Sequence, residues 1–114
     1  MLTIESLKEF GADVDAGLAR CMGMEDFYLR LVHMELEDKN FPALKIAMER
    51  KDVKAAFEAA HALKGAVGNL SLTPLYAPLC ELTELFRGAQ SFPETGDLYP
   101  RLCKAFESLK SLAK

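Results

Sequence analysis

His61, Lys64, Gly65 and Gly68 fall within one helix-forming stretch, AHALKGAVGNL, at residues 60–70. A glycine inside a helix costs about 1 kcal/mol relative to alanine. Two of them, four and seven residues after a histidine, therefore point to a requirement for open space. Helical side chains lean toward the amino terminus, so residues at those spacings would tilt back over the imidazole. At 65 and 68 nothing tilts back, whereas at 64 a flexible cation can. An imidazole offers a neutral nitrogen nucleophile near pH 7. A phosphoryl group on that nitrogen would bring negative charge, which Lys64 could offset through charge-assisted hydrogen bonds. Phosphoryl transfer asks mainly for positioning and electrostatic stabilisation. The chain carries no glycine-rich nucleotide loop and no acidic metal cluster, so the chemistry fits a carrier whose partners supply those parts better than a kinase. Close helix–helix approach is the alternative use of the glycines.

The elements that must hold these residues are helical throughout. Apolar residues recur at helical spacing and strand alternation is absent. Asp52 is a candidate N-cap for a helix over 53–70, whose apolar stripe is Val53, Ala56, Phe57, Ala60, Leu63, Val67 and Leu70. His61 lies beside that stripe, on a partly exposed face shared with Lys54, Glu58, Lys64, Gly65 and Gly68. Ahead of it, 24–39 reads as one helix that resumes after Pro42, with a kink or short break expected near 39–42. Behind it, Ser71 and Thr73 can cap a helix running to Gly88, with Pro74 in its first turn and Pro78 placed to bend it. GAQSFPETG at 88–96 is a loop, and Asp97 is the expected cap of a last helix. The first 23 residues read as two short helices, Thr3 to Phe10 and Asp13 to Cys21, punctuated by Gly11 and Gly23. The predicted fold is all-α: an antiparallel four-helix bundle over 24–114, with short amino-terminal helices (1–23) packed across one end, in a single domain.

Composition narrows the function. The chain has 114 residues, enough for one domain, and half of them are hydrophobic, enough for one core. A net charge of −3 disfavours nucleic acid, which requires a basic face. No apolar run is long enough to span a bilayer and no basic-then-apolar leader opens the chain, so a cytoplasmic setting is expected. Cys21, Cys80 and Cys103 are too scattered for a disulfide framework or a zinc site, and His33 has neither cleared space nor a cation beside it.

The stretch HALKGAVG resembles the motif of histidine-containing phosphotransfer (HPt) domains, His-x-x-Lys-Gly with a small residue seven after the histidine. The similarity extends to DVDAGLARCMGMEDFYLRL, the Pro42 region and KDVKAAFEAAHALKG, and so covers nearly the whole chain. The resemblance implies a four-helix bundle with His61 as phosphoryl acceptor, Lys64 as the cation near it, and Gly65 and Gly68 as the positions that keep it accessible. It implies a phosphocarrier without kinase activity, which relays a phosphoryl group between aspartates of response-regulator receiver domains, downstream of a hybrid sensor histidine kinase. No cofactor of its own is expected, since the receiver brings the magnesium ion, and a monomer is expected. Two positions depart from the pattern. Position 71 is serine where many members have glycine. Thr83 stands where some members place a glutamine that orients the imidazole, and is the candidate for that role here.

Two rival readings follow from the same residues. One is a helical module that docks receiver domains without being phosphorylated. The other is an acid–base catalyst using His61 with Glu58 as orienting carboxylate, for which a convex helix face is poor ground. A docking surface needs an apolar centre, and the histidine face has little apolar area. Leu2, Ile4 and Leu7 look too many for so short a helix to bury. The amino-terminal segment is therefore expected to pack beside the middle of the histidine helix and expose apolar surface next to the ring.

Overall fold

Residues 1–114 are all described by a computed structural model, in which seven helices follow one another without a strand: α1 (Ile4–Phe10), α2 (Val14–Arg20), α3 (Glu25–Leu36), α4 (Asn40–Arg50), α5 (Val53–Asn69), α6 (Thr73–Phe86) and α7 (Leu98–Leu112). Caps set several of the boundaries. Thr3 and Ser6 form a reciprocal capping box at the start of α1. Asp13 and Asp52 open α2 and α5 by accepting hydrogen bonds from the N–H groups of Ala16 (3.2 Å) and Ala55 (3.1 Å). Gly11 ends α1 at φ +109°, in the left-handed region that a residue with a Cβ rarely enters.

Three expected boundaries differ. The break after α3 falls at residues 37–39 rather than 39–42, because Asp38 turns the chain by accepting from the N–H of Asn40 at 2.8 Å. Pro42 then sits in the first turn of α4, where a missing N–H forfeits no intrahelical bond. Neither Ser71 nor Thr73 caps α6. Leu72 holds that position, while Ser71 adopts φ +56° and its hydroxyl accepts from Arg20. Asp97 does precede α7, but its carboxylate pairs with Arg101 at 3.5 Å instead of capping. α6 continues through Pro78, which is buried.

Consecutive helices α4 to α7 pack side by side, α5 against both α4 and α6, and α6 against α7. The Phe41 ring of α4 stacks on Phe106 of α7, with 3.9 Å between centroids, and ties the first rod to the last. One core of 22 buried apolar residues runs through the molecule and includes Leu2, Leu7, Val14 and Cys21 from the amino-terminal segment. That segment lies across the end where α5 turns into α6, held by a hydrogen bond from the Asp13 N–H to the Ser71 carbonyl at 2.9 Å.

Tyr28 anchors α3 at this end. It is fully buried, its hydroxyl donates to the Leu70 carbonyl at 2.7 Å, and burial pushes its pKa up to about 12, so it stays a donor. Gly17 of α2 lets the ring in: a Cβ there would lie 2.6 Å from two ring carbons of Tyr28. Gly17→Ala should therefore destabilise the protein by about 1–3 kcal/mol through overpacking, read as a lower urea midpoint with an unchanged slope. An unchanged midpoint would mean that Tyr28 can withdraw freely.

Glu35, at the end of α3, is half-buried, and its Oε2 has no hydrogen-bond partner. Burial first, and neighbouring Asp38 second, raise its pKa from 4.5 to about 8. A raised carboxyl pKa means that the folded chain holds this proton more tightly than the unfolded one. Its contribution to stability is complete below about pH 4.5 and is lost as pH rises through about 8. Glu35→Gln should therefore become progressively more stable than the parent between about pH 4.5 and 8. A gain of about 1 kcal/mol is expected, after allowing for solvent screening of a half-exposed group. Urea unfolding of both proteins across that range checks it, and parallel curves would overturn it.

Candidate functional site

Helix α5 presents Ala56, Ala59, Ala60, Leu63 and Val67 to the core, which turns His61, near the middle of its 17 residues, outward. His61 is exposed, and no hydrogen bond or ion pair within the chain holds its ring. Lys64 lies partly buried one turn on and takes no part in any of the four ion pairs. Its ammonium is therefore available to a newly arriving anion.

The two glycines prove unlike. Around Gly65 a Cβ would meet nothing within 4 Å, so the space ahead of His61 is open. At Gly68 a Cβ would lie 2.8 Å from Cε1 and 3.1 Å from Cδ1 of Tyr76, so this glycine admits a ring from α6. The space is open at 65, whereas a ring approaches closely at 68.

Other expected site residues sit elsewhere. Thr83 does not orient the imidazole, because it is fully buried and its hydroxyl donates to the Leu79 carbonyl at 2.7 Å. A short hydroxyl inside a helix readily bonds back to the preceding turn. Leu2 (4% exposed) and Leu7 (0%) belong to the core, and Ile4 is packed against it. α1 rests on α2 and α7. The expected apolar face beside the histidine is therefore not formed by these three residues, and removing them would take core side chains away. Exposed apolar side chains lie instead on other elements, among them Phe27 and Met34 on α3, Ile46 on α4, and Tyr76 and Leu85 on α6. Glu58 makes no hydrogen bond to His61, and both side chains are exposed, whereas an acid–base site would enclose them.

Several neighbours of the site were not singled out in the sequence. Phe57, assigned there to the core stripe, is only half-buried, and its ring lies 5.5 Å from the His61 ring at a 30° tilt. The Arg87 guanidinium, at the end of α6, sits 5.2 Å from the centroid of Phe57 and pairs with Glu84 at 3.3 Å. On the other side, Arg20 of α2 donates to the Ser71 hydroxyl at 2.7 Å and to the carbonyls of Gly68 and Asn69 at 3.3 Å. A cation there adds a donor to the last carbonyls of α5, of which Gly68 also accepts from the Ser71 N–H at 3.1 Å, and complements the helix dipole. A polar cleft runs from Lys64 and Gly65 past Gly68 to Arg20 and Ser71. Only Phe57 left a signal in the sequence, at helical spacing from His61. Arg87, Tyr76 and Arg20 arrive from other helices.

No group of three His, Cys, Asp or Glu side chains is arranged to hold a metal ion, and no helix is long and apolar enough to cross a membrane. Comparison with protein families matches the Hpt domain over residues 28–112, which takes in most of α3 and everything through α7. Searches of curated proteins and of solved structures returned no match. An all-helical bundle and a family match over most of its length lead to one conclusion: the chain belongs to the Hpt domain family, the histidine phosphotransfer modules of two-component signalling.

Proposed function

We propose that His61 is the phosphoryl acceptor of a phosphorelay intermediate, charged by the aspartyl phosphate of one receiver domain and discharged onto the aspartate of another. The observation that carries this reading is the unbonded, exposed imidazole, with empty ground at Gly65 and an unpaired cation at Lys64. In the forward step an imidazole nitrogen attacks phosphorus, the N–P bond forms, and the P–O bond to the aspartate breaks and returns its carboxylate. The second step reverses these events at a different aspartate. Lys64 offsets charge on the transferred group in both directions. The magnesium ion would be the receiver's, and this chain would work as a carrier without kinase activity, meeting a hybrid sensor histidine kinase upstream. Its contacts would be those of a monomer that docks briefly and releases.

The test is phosphotransfer profiling against receiver domains of the same genome. A cognate phosphorylated receiver should lose its label to this protein, and the label should be acid-labile and base-stable, as a phosphoramidate is. An acid-stable label, or none from any receiver, would overturn the assignment. The latter, with binding retained, would favour a docking module that is never phosphorylated.

A further inference from the structure

The orientation of the His61 ring has no hydrogen-bonded cause, since Thr83, the side chain expected to supply one, is turned into the core. Attack on phosphorus must nevertheless be in line, and a freely rotating imidazole spends little time in that geometry. A contact on this face that restricts the ring would therefore favour transfer.

The arrangement around Phe57 can do so. His61 leans toward the amino terminus of α5 and thus onto the residue one turn back. Its ring meets Phe57 at 5.5 Å with a 30° tilt, within the range of favourable aromatic pairs. A boundary phenylalanine would itself be loose, but Arg87 reaches across from α6 and covers the ring at 5.2 Å, within cation–π range. The guanidinium is held in turn by the Glu84 carboxylate, with Nε 3.4 Å from both carboxylate oxygens and a terminal nitrogen 3.3 Å from Oε1. Glu84, Arg87, Phe57 and His61 therefore form a continuous stack that links the imidazole to the neighbouring helix.

We propose that Phe57, clamped by Arg87, is the positioning residue that holds the His61 imidazole in the orientation from which it attacks phosphorus. The proposal rests on His61 being the acceptor, but the stack can be read independently of transfer. Neither Phe57 nor Arg87 touches the reacting atoms, and both act through the ring.

Phe57→Leu keeps apolar bulk and removes the aromatic face. It should slow labelling of His61 about threefold to tenfold, the range an aromatic contact of this kind commands. Phosphoramidate as donor makes the rate independent of receiver docking. Phe57→Tyr should restore the parent rate, and Arg87→Gln should give a smaller loss that Arg87→Lys partly recovers. Imidazole NMR supplies the readout that a merely structural role would not move. The His61 ring protons should show cross-relaxation to the Phe57 ring and a ring-current shift, both lost in Phe57→Leu and weakened in Arg87→Gln, with thermal unfolding little changed. Parent-like rates and unchanged imidazole signals in folded Phe57→Leu would overturn the proposal. If the parent protein takes no label at all, the carrier reading fails, and the imidazole signals alone still decide whether the stack exists. Should Phe57→Leu fold poorly, the surface variant Arg87→Gln carries the same comparison.

Discussion

Replacing His61 with glutamine is expected to abolish labelling by a phosphorylated receiver, while His33→Gln leaves it at the parent level. Glutamine has similar bulk and good helix propensity, and position 61 is exposed, so stability should change by no more than about 0.5 kcal/mol. The amide nitrogen is not a nucleophile, however, and nothing else on this face can replace the imidazole. His33 makes the contrast informative because it too is exposed on a helix. Three and four residues after His61 stand Lys64 and Gly65, a cation and open ground. After His33 the same positions are Leu36 and Glu37, a bulky side chain and a negative charge that would repel a phosphoryl group. Circular dichroism confirms the fold and acid lability identifies the bond. Label retained in folded His61→Gln would move the acceptor to another residue.

What the sequence made legible here was local. Asp52 caps its helix because a cap depends on residues within one turn, and the accessible side of α5 follows from helical periodicity alone. Ser71 and Asp97 have cap-forming side chains too, yet each is claimed by an arginine, one from α2 and one a turn along α7. The competition from Arg20 is invisible until α2 is placed against the end of α5. Phe57 shows the same limit at the site. A residue on the border of a helical stripe turns inward or outward according to its neighbour, and here the neighbour is Arg87, 30 residues away in the chain. Leu2 and Leu7 mislead for a related reason. A seven-residue helix buries little by itself, but α1 lies across the bundle end and shares the core of the larger helices. The same reasoning corrects the glycines, since the sequence treats 65 and 68 alike and only the register of α5 against α6 brings Tyr76 over one of them.

That difference predicts opposite responses. Gly65→Ala should stabilise α5 by up to about 1 kcal/mol, because the new methyl group enters empty space and the helix gains propensity. Gly68→Ala should show no such gain, since its Cβ at 2.8 Å from Tyr76 must first displace the ring, and the benefit expected from alanine at either position is confined to Gly65. A larger side chain at 65 separates access from stability. Gly65→Gln should fold at least as stably as the parent protein, yet transfer should fall at least tenfold, as expected if a side chain leaning back over His61 costs the incoming phosphoryl group about 1.4 kcal/mol or more of approach. The effect should be strongest with a receiver domain and weaker with phosphoramidate, because a small donor can slip past a flexible side chain where a folded partner cannot. Stopped-flow transfer and urea unfolding on the same samples give both numbers. Transfer at the parent rate in a stable Gly65→Gln protein would mean that receivers reach His61 from the Phe57 side, leaving Gly65 without a role in access.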